Sequence, residues 1–188
     1  MHFVPGYDTN GSLLLKVTRL NSDDSIDEIT RYEYNLQNRL ASVYIDDNTT
    51  KTPSNTSDDT LVTEYFYNNS GVRVKKIDYS SSETTTYLID SYNHTGYAQV
   101  FEETVFSGTD IDPANDDPSS RMQYTIGDDV ISQTYSTYSS GWTADDTQYL
   151  LYDGHGSTRQ LIEHPLVSGE VVIAEDYDYD GFELEYGF

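Results

Sequence analysis

The sequence has no cysteine, five prolines, one tryptophan and ten basic residues in 188 positions. Without cysteine, neither a disulfide framework nor a thiolate metal site is available, so the chain must be held by sheet packing or by contacts with a larger assembly. Ten Lys and Arg against 33 Asp and Glu leave a formal charge of −23. That balance excludes nucleic acid as a partner, because phosphate binding needs cationic side chains gathered on one face. It disfavours anionic membrane surfaces for the same reason. No stretch approaches the roughly 18 apolar residues of a membrane helix, so no membrane insertion is expected. Met1-His2-Phe3-Val4-Pro5-Gly6 shows no basic n-region and no apolar run, so no signal peptide is expected in this chain. Helical periodicity is nearly missing as well. Only residues 23–29 could make one turn of helix.

What the chain does have is aromatic and β-branched residues. Eighteen Tyr and six Phe exceed what an acidic disordered tail carries, so the chain is expected to fold. Tyr, Thr, Val and Ile together favour pleated, half-buried strands.

Alternating segments recur, each closed by the same kind of turn. They are Tyr7-Asp8-Thr9-Asn10-Gly11, Tyr34-Asn35-Leu36-Gln37-Asn38, Tyr67-Asn68-Asn69-Ser70-Gly71 and Tyr152-Asp153-Gly154-His155-Gly156, with a last copy opening at Tyr177-Asp178-Tyr179-Asp180-Gly181. Paired tyrosines (Tyr32/Tyr34, Tyr65/Tyr67, Tyr177/Tyr179) stand two residues apart and so share a face of a strand. The Asx that follows can accept backbone N–H groups in an Asx-turn. Three residues later comes Gly or Asn, the types that tolerate positive φ at the end of a hairpin loop. The returning strands carry Arg73 or Arg159 among aliphatic residues. Any β-protein has Asn and Gly in its turns; the fixed step from Tyr-Asx to Gly or Asn is what argues for a repeat. The steps from Tyr7 to Tyr34, Tyr34 to Tyr67 and Tyr152 to Tyr179 are 27, 33 and 27 residues. Such variation suits hairpins whose far loops differ in length, and residues 46–59 and 107–120 have the composition of those exposed loops.

These residues resemble the Rhs, or YD-repeat, family. Tyr7 to Gly11 and Tyr67 to Arg73 are similar to its Tyr-Asp-x-x-Gly repeat. Tyr152-Asp153-Gly154-His155-Gly156-Ser157-Thr158-Arg159-Gln160-Leu161 resembles the hallmark of the Rhs-repeat-associated core region, and Tyr124 to Gln133 and Tyr177 to Phe182 are similar to further segments of it. The resemblance covers nearly all of the chain and implies an all-β fold: consecutive antiparallel hairpins forming a curved sheet, a section of an Rhs-type β-shell. It further implies a non-catalytic structural segment that encloses a C-terminal polymorphic toxin in bacterial members, or serves adhesion in animal relatives. The expected partners are the remainder of the same shell and its enclosed toxin segment, with a surface glycan or protein as the alternative. The expected location is secreted or at the cell surface, as part of a larger protein. Residues 1–188 are expected to form one such core region, entered part-way through a repeat and therefore a fragment. The family's self-cleavage motif, Asp-Pro-x-Gly-Leu, is not matched by Asp112-Pro113 or Asp117-Pro118, and no cleavage role is carried onto them.

The residue-level search for other chemistry returns little. Asp153, His155 and Arg159 form the nearest thing to a reactive cluster, but a histidine in a turn is usually solvated. Arg159 is better placed to pair with a carboxylate or to stack on a tyrosine. His2, His94 and His164 show no metal-ligand spacing. The acidic run from Asp110 to Asp117 fails the calcium-loop pattern, because Ala114 and Asn115 fall where an acidic ligand and a glycine belong. No catalytic residue, metal site or cofactor is therefore assigned. Asn-x-Ser/Thr triplets at Asn10, Asn48, Asn55, Asn68 and Asn93 matter only in a eukaryotic secretory pathway. Rows of tyrosine could stack on sugar rings, although packing between strands is the commoner use of such rings.

Overall fold

The computed structural model describes residues 2–19, 25–46, 53–54, 56–57, 59–93, 96–163 and 171–177. Every regular element among them is a β-strand: β1 (His2–Tyr7), β2 (Leu13–Arg19), β3 (Ile26–Tyr34), β4 (Leu40–Asp46), β5 (Asp59–Tyr67), β6 (Arg73–Asp78), β7 (Glu83–Asp90), β8 (Gln99–Ser107), β9 (Ser120–Ile126), β10 (Val130–Tyr138), β11 (Trp142–Tyr152), β12 (Thr158–Glu163) and β13 (Val172–Asp176). All lie in one sheet whose order is sequence order, which is the all-β chain of hairpins the repeat predicted. The chain divides into two compact units, Met1–Tyr87 with Val105–Asp117, and Leu88–Thr104 with Pro118–Phe188.

In the first unit few apolar side chains are buried among the described residues. Val17 on β2 pairs with Ile29 on β3, and both are buried. Ile77 on β6 stands opposite Thr84 on β7, again buried. Phe106 on β8 is buried as well, and in the second unit Leu161 on β12 is buried. Five apolar side chains are thus buried among the described residues, while sixteen large ones are exposed. An ordinary domain hides one face of its sheet against a second layer. Here strand pairing and the turns must carry a larger share of the stability.

Two expectations need correction. Residues 26–29 do not make a helical turn; they open β3, because alternation places Ile29 against Val17 in a dry position. Residues 20–24 lie outside the described residues. The segment 46–59 is not loop throughout either. Asp46 closes β4 and Asp59 opens β5, where they pair directly, and Asp46 is 2% exposed. The Arg31 guanidinium meets Asp59 at 2.8 Å and also donates to the Pro53 carbonyl at 3.2 Å, which explains how acidic residues can close these strands. Pro53, Ser54, Thr56 and Ser57 between them are exposed. Residues 108–119 do form an exposed connection over most of their length. Asp112 organises it by accepting from the Ala114 N–H and the Asn115 amide.

A register shift follows each tyrosine turn. It falls between Gly6 and Tyr7, Glu33 and Tyr34, Phe66 and Tyr67, and Leu151 and Tyr152, and in each case the partner strand carries one extra residue. The extra residues are Leu14, Ala41, Val74 and Arg159, each the sixth after its Asx. A bulge here increases local twist and re-aims the strand that leaves the turn.

Candidate functional site along the turn rim

The motif residues build one structure four times. The Asx backbone N–H donates to the carbonyl four residues on: Asp8 to Ser12 (2.9 Å), Asn35 to Arg39 (2.9 Å), Asn68 to Val72 (2.9 Å) and Asp153 to Ser157 (3.0 Å). Its carbonyl accepts from the N–H three residues on, at Gly11, Asn38, Gly71 and Gly156. Those four residues have φ of 85°, 58°, 79° and 81°, the left-handed region that glycine and asparagine enter at least cost. The Asx side-chain oxygen then accepts the N–H at the fourth position: Ser12 at 2.8 Å, Arg39 at 3.0 Å, Val72 at 2.9 Å and Ser157 at 3.1 Å. Few backbone donors in the loop are left unserved, which is why Asp and Asn suit this position.

The tyrosine before each Asx acts across the sheet. The Tyr34 hydroxyl donates to the Leu13 carbonyl (3.0 Å), that of Tyr67 to Leu40 (2.8 Å) and that of Tyr152 to Val130 (2.6 Å). Each acceptor is the first residue of the strand leaving the preceding turn on the same rim, so each tyrosine is a strut between neighbouring turns. Burial pushes the Tyr67 and Tyr152 hydroxyls above the usual 10.0. Further contacts join the turns of the first unit. Ser12 Oγ donates to Asn38 Oδ1 at 2.9 Å. Arg39 lies 5.7 Å from the centre of the Tyr67 ring, and a Cβ on Gly71 would stand 1.7 Å from its guanidinium carbon.

Arg73 and Arg159 prove to be different positions of the motif. Arg73 pairs with Tyr67 at the fifth place after Asn68 and lies 5.3 Å from the ring centres of both Tyr65 and Tyr87. Arg159 is the bulge residue, turned back so that its Nε donates to Asp153 Oδ2 at 2.8 Å. The Asp153 carboxyl sits below its ordinary 3.8, chiefly because the His155 and Ser157 N–H groups point at it and with help from Arg159. Both of its oxygens are committed to the turn, and His155 joins through its backbone N–H rather than its ring. Tyr179 and Asp180 lie outside the described residues, as do Asn48, Asn55, His94 and His164. Among the described residues no group of three or more His, Asp or Glu is placed to hold a metal ion.

Two features escaped sequence reasoning. The first is a further copy, Tyr92-Asn93-His94-Thr95-Gly96, with the same spacing as the others. Gly96 has φ 74° and its N–H reaches the Asn93 carbonyl at 3.4 Å, while the Asn93 amide donates to the Tyr97 carbonyl at 2.7 Å. Tyr92 stands 99% exposed, unlike the struts. The second is the turn of residues 127–129, which lacks a Tyr-Asx opening but keeps the bulge after it, at Ile131, and supplies the carbonyl that Tyr152 uses.

No protein-family model matches the chain, and the search of curated proteins returns no significant match. Solved structures do resemble it in fold. A chain of a TcdB2–TccC3–Cdc42 crystal structure superposes with a TM-score of 0.52 at 12% identity over 86% of this chain. A Photorhabdus luminescens Tc holotoxin pore carrying a TccC3 mutation gives 0.52 at 13% identity over 86%. A TcdB2–TccC3–TEV crystal structure gives 0.52 at 12% over the same share. This chain spans 7% of the length of each. The likeness is one of fold.

Proposed function

We propose that this chain is a wall segment of an Rhs-type β-shell, and that the longer secreted or cell-surface protein containing it uses the wall to enclose a C-terminal toxin segment before delivery. The segment itself performs no catalysis; it excludes and insulates. The observation that carries this reading is the likeness in fold to chains of Tc toxin structures over 86% of its length. The rim supports it. Struts between successive turns, with few buried apolar side chains among the described residues, suit a surface extended by adding hairpins more than a domain closed around a core. The test is limited proteolysis of the longer protein in which this chain occurs. A segment downstream of the wall should resist protease until the wall is unfolded by denaturant. Cleavage at the rate of the free segment under native conditions would sink the reading.

Tyr92 and Tyr97, 99% and 80% exposed beside one turn, favour a second reading, adhesion to a surface glycan or protein. Glycan-array binding lost in Tyr92→Ala and Tyr97→Ala variants of unchanged fold would support it.

A further inference from the structure

We propose that Tyr7 and Gly11 form an open seat for an arginine side chain, presented by an adjoining Tyr-Asx hairpin of the same wall that pairs along β1. This deepens the wall reading and rests on it. In the first unit, the side chain four places past one Asx leans on the residue three places past the next. Ser12 bonds Asn38, and Arg39 covers Gly71 and the ring of Tyr67 while its guanidinium also holds Gln37 at 2.7 Å. The receiving residue matches what arrives: an amide oxygen takes the hydroxyl, and a bare glycine makes room for the planar guanidinium.

The Asp8 turn has the receiving half of the second pairing, and among the described residues no side chain covers its glycine. Gly11 has φ 85°, and no heavy atom lies within 4 Å of where its Cβ would be. Tyr7 is 61% exposed, where the other three motif tyrosines are engaged as struts. Gly156 is also uncovered, but the three-residue turn before it brings no fourth-position side chain, and Tyr152 is already spent on Val130. An open glycine beside an exposed tyrosine thus occurs at the Asp8 turn and again at the Tyr92 copy, where Gly96 is uncovered too; the Asp8 turn differs in standing on the outer strand. β1 is the outer strand in the sheet order, so its main-chain groups can receive a further strand. A chain of charge −23 also favours a cationic side chain arriving at its rim.

The experiment titrates the full chain with a cyclised, labelled peptide of residues 26–46, whose hairpin carries Arg39. Saturable binding is expected, weakened roughly tenfold by Arg39→Ala in the peptide and by Tyr7→Ala in the chain, and less by Tyr7→Phe, which keeps the ring. Circular dichroism of both Tyr7 variants controls for folding. Equal binding by the Arg39→Ala peptide overturns the arginine seat while leaving edge pairing, and with it the wall reading, intact. Absence of binding by either peptide overturns the inference; the wall reading is then judged by the proteolysis experiment alone. Dimerisation of the free chain that Tyr7→Ala abolishes would assign the seat to a second copy and overturn the proposed occupant.

Discussion

Replacing Gly71 by alanine separates two costs that coincide at that residue. With φ 79°, any L side chain pays about 1–2 kcal/mol for the left-handed conformation. The new Cβ would also fall 1.7 Å from the Arg39 guanidinium carbon, so Arg39 must leave the Tyr67 ring and forfeit about 0.5–1 kcal/mol. Gly11→Ala is the internal control: φ is 85° and the space is open, so only the backbone cost applies. Urea unfolding followed by far-UV ellipticity should place Gly71→Ala about 1.5–3 kcal/mol below the parent and Gly11→Ala about 1–2 kcal/mol below it, with the difference between the two about 0.5–1 kcal/mol. Adding Arg39→Ala to Gly71→Ala should cost almost nothing more, because the contact is already lost. Equal losses for Gly71→Ala and Gly11→Ala, or full additivity in the double variant, would refute the reasoning.

Three further outcomes follow from the same geometry. Tyr67→Phe and Tyr152→Phe should each cost about 1 kcal/mol in urea, since each removes one hydroxyl donor from a carbonyl on the neighbouring turn. Burial is the main cause that raises the Tyr32, Tyr44, Tyr67 and Tyr152 hydroxyls above 10.0, so their contribution is complete below that pH and is lost as pH climbs through their folded values. Absorbance titration at alkaline pH should therefore show a late group of tyrosines ionising together with the loss of ellipticity. Arg31→Met should cost about 3 kcal/mol, because Asp59, with its side chain 9% exposed, would lose its cation; a change within error in urea would contradict that.

The turns were legible in the sequence because their chemistry is local. Asx accepts N–H groups two to four residues away, and the Gly or Asn of positive φ follows at a fixed step. The struts were not legible. Tyr34 and Tyr67 meet carbonyls 21 and 27 residues back, and no composition or alternation marks a backbone acceptor. The bulges were hidden for a related reason: one extra residue in a returning strand leaves its alternation looking continuous, so the different roles of Arg73 and Arg159 did not show. Asp46 was assigned to a loop on its polarity, but it pairs with Asp59 at the strand ends, and Asp59 in turn is held by Arg31 from β3. The copy at Tyr92 was written plainly enough; it lacks the second tyrosine two residues earlier that marked most of the others.

Imaging the longer protein by electron cryomicroscopy tests the wall reading most directly. The expected map has this segment as one stretch of a hairpin wall, with the Asp8, Asn35 and Asn68 turns lined along one rim, a further hairpin against β1, and density enclosed behind the sheet. A map in which these strands close into a solid domain with both faces covered and no enclosed space would contradict it.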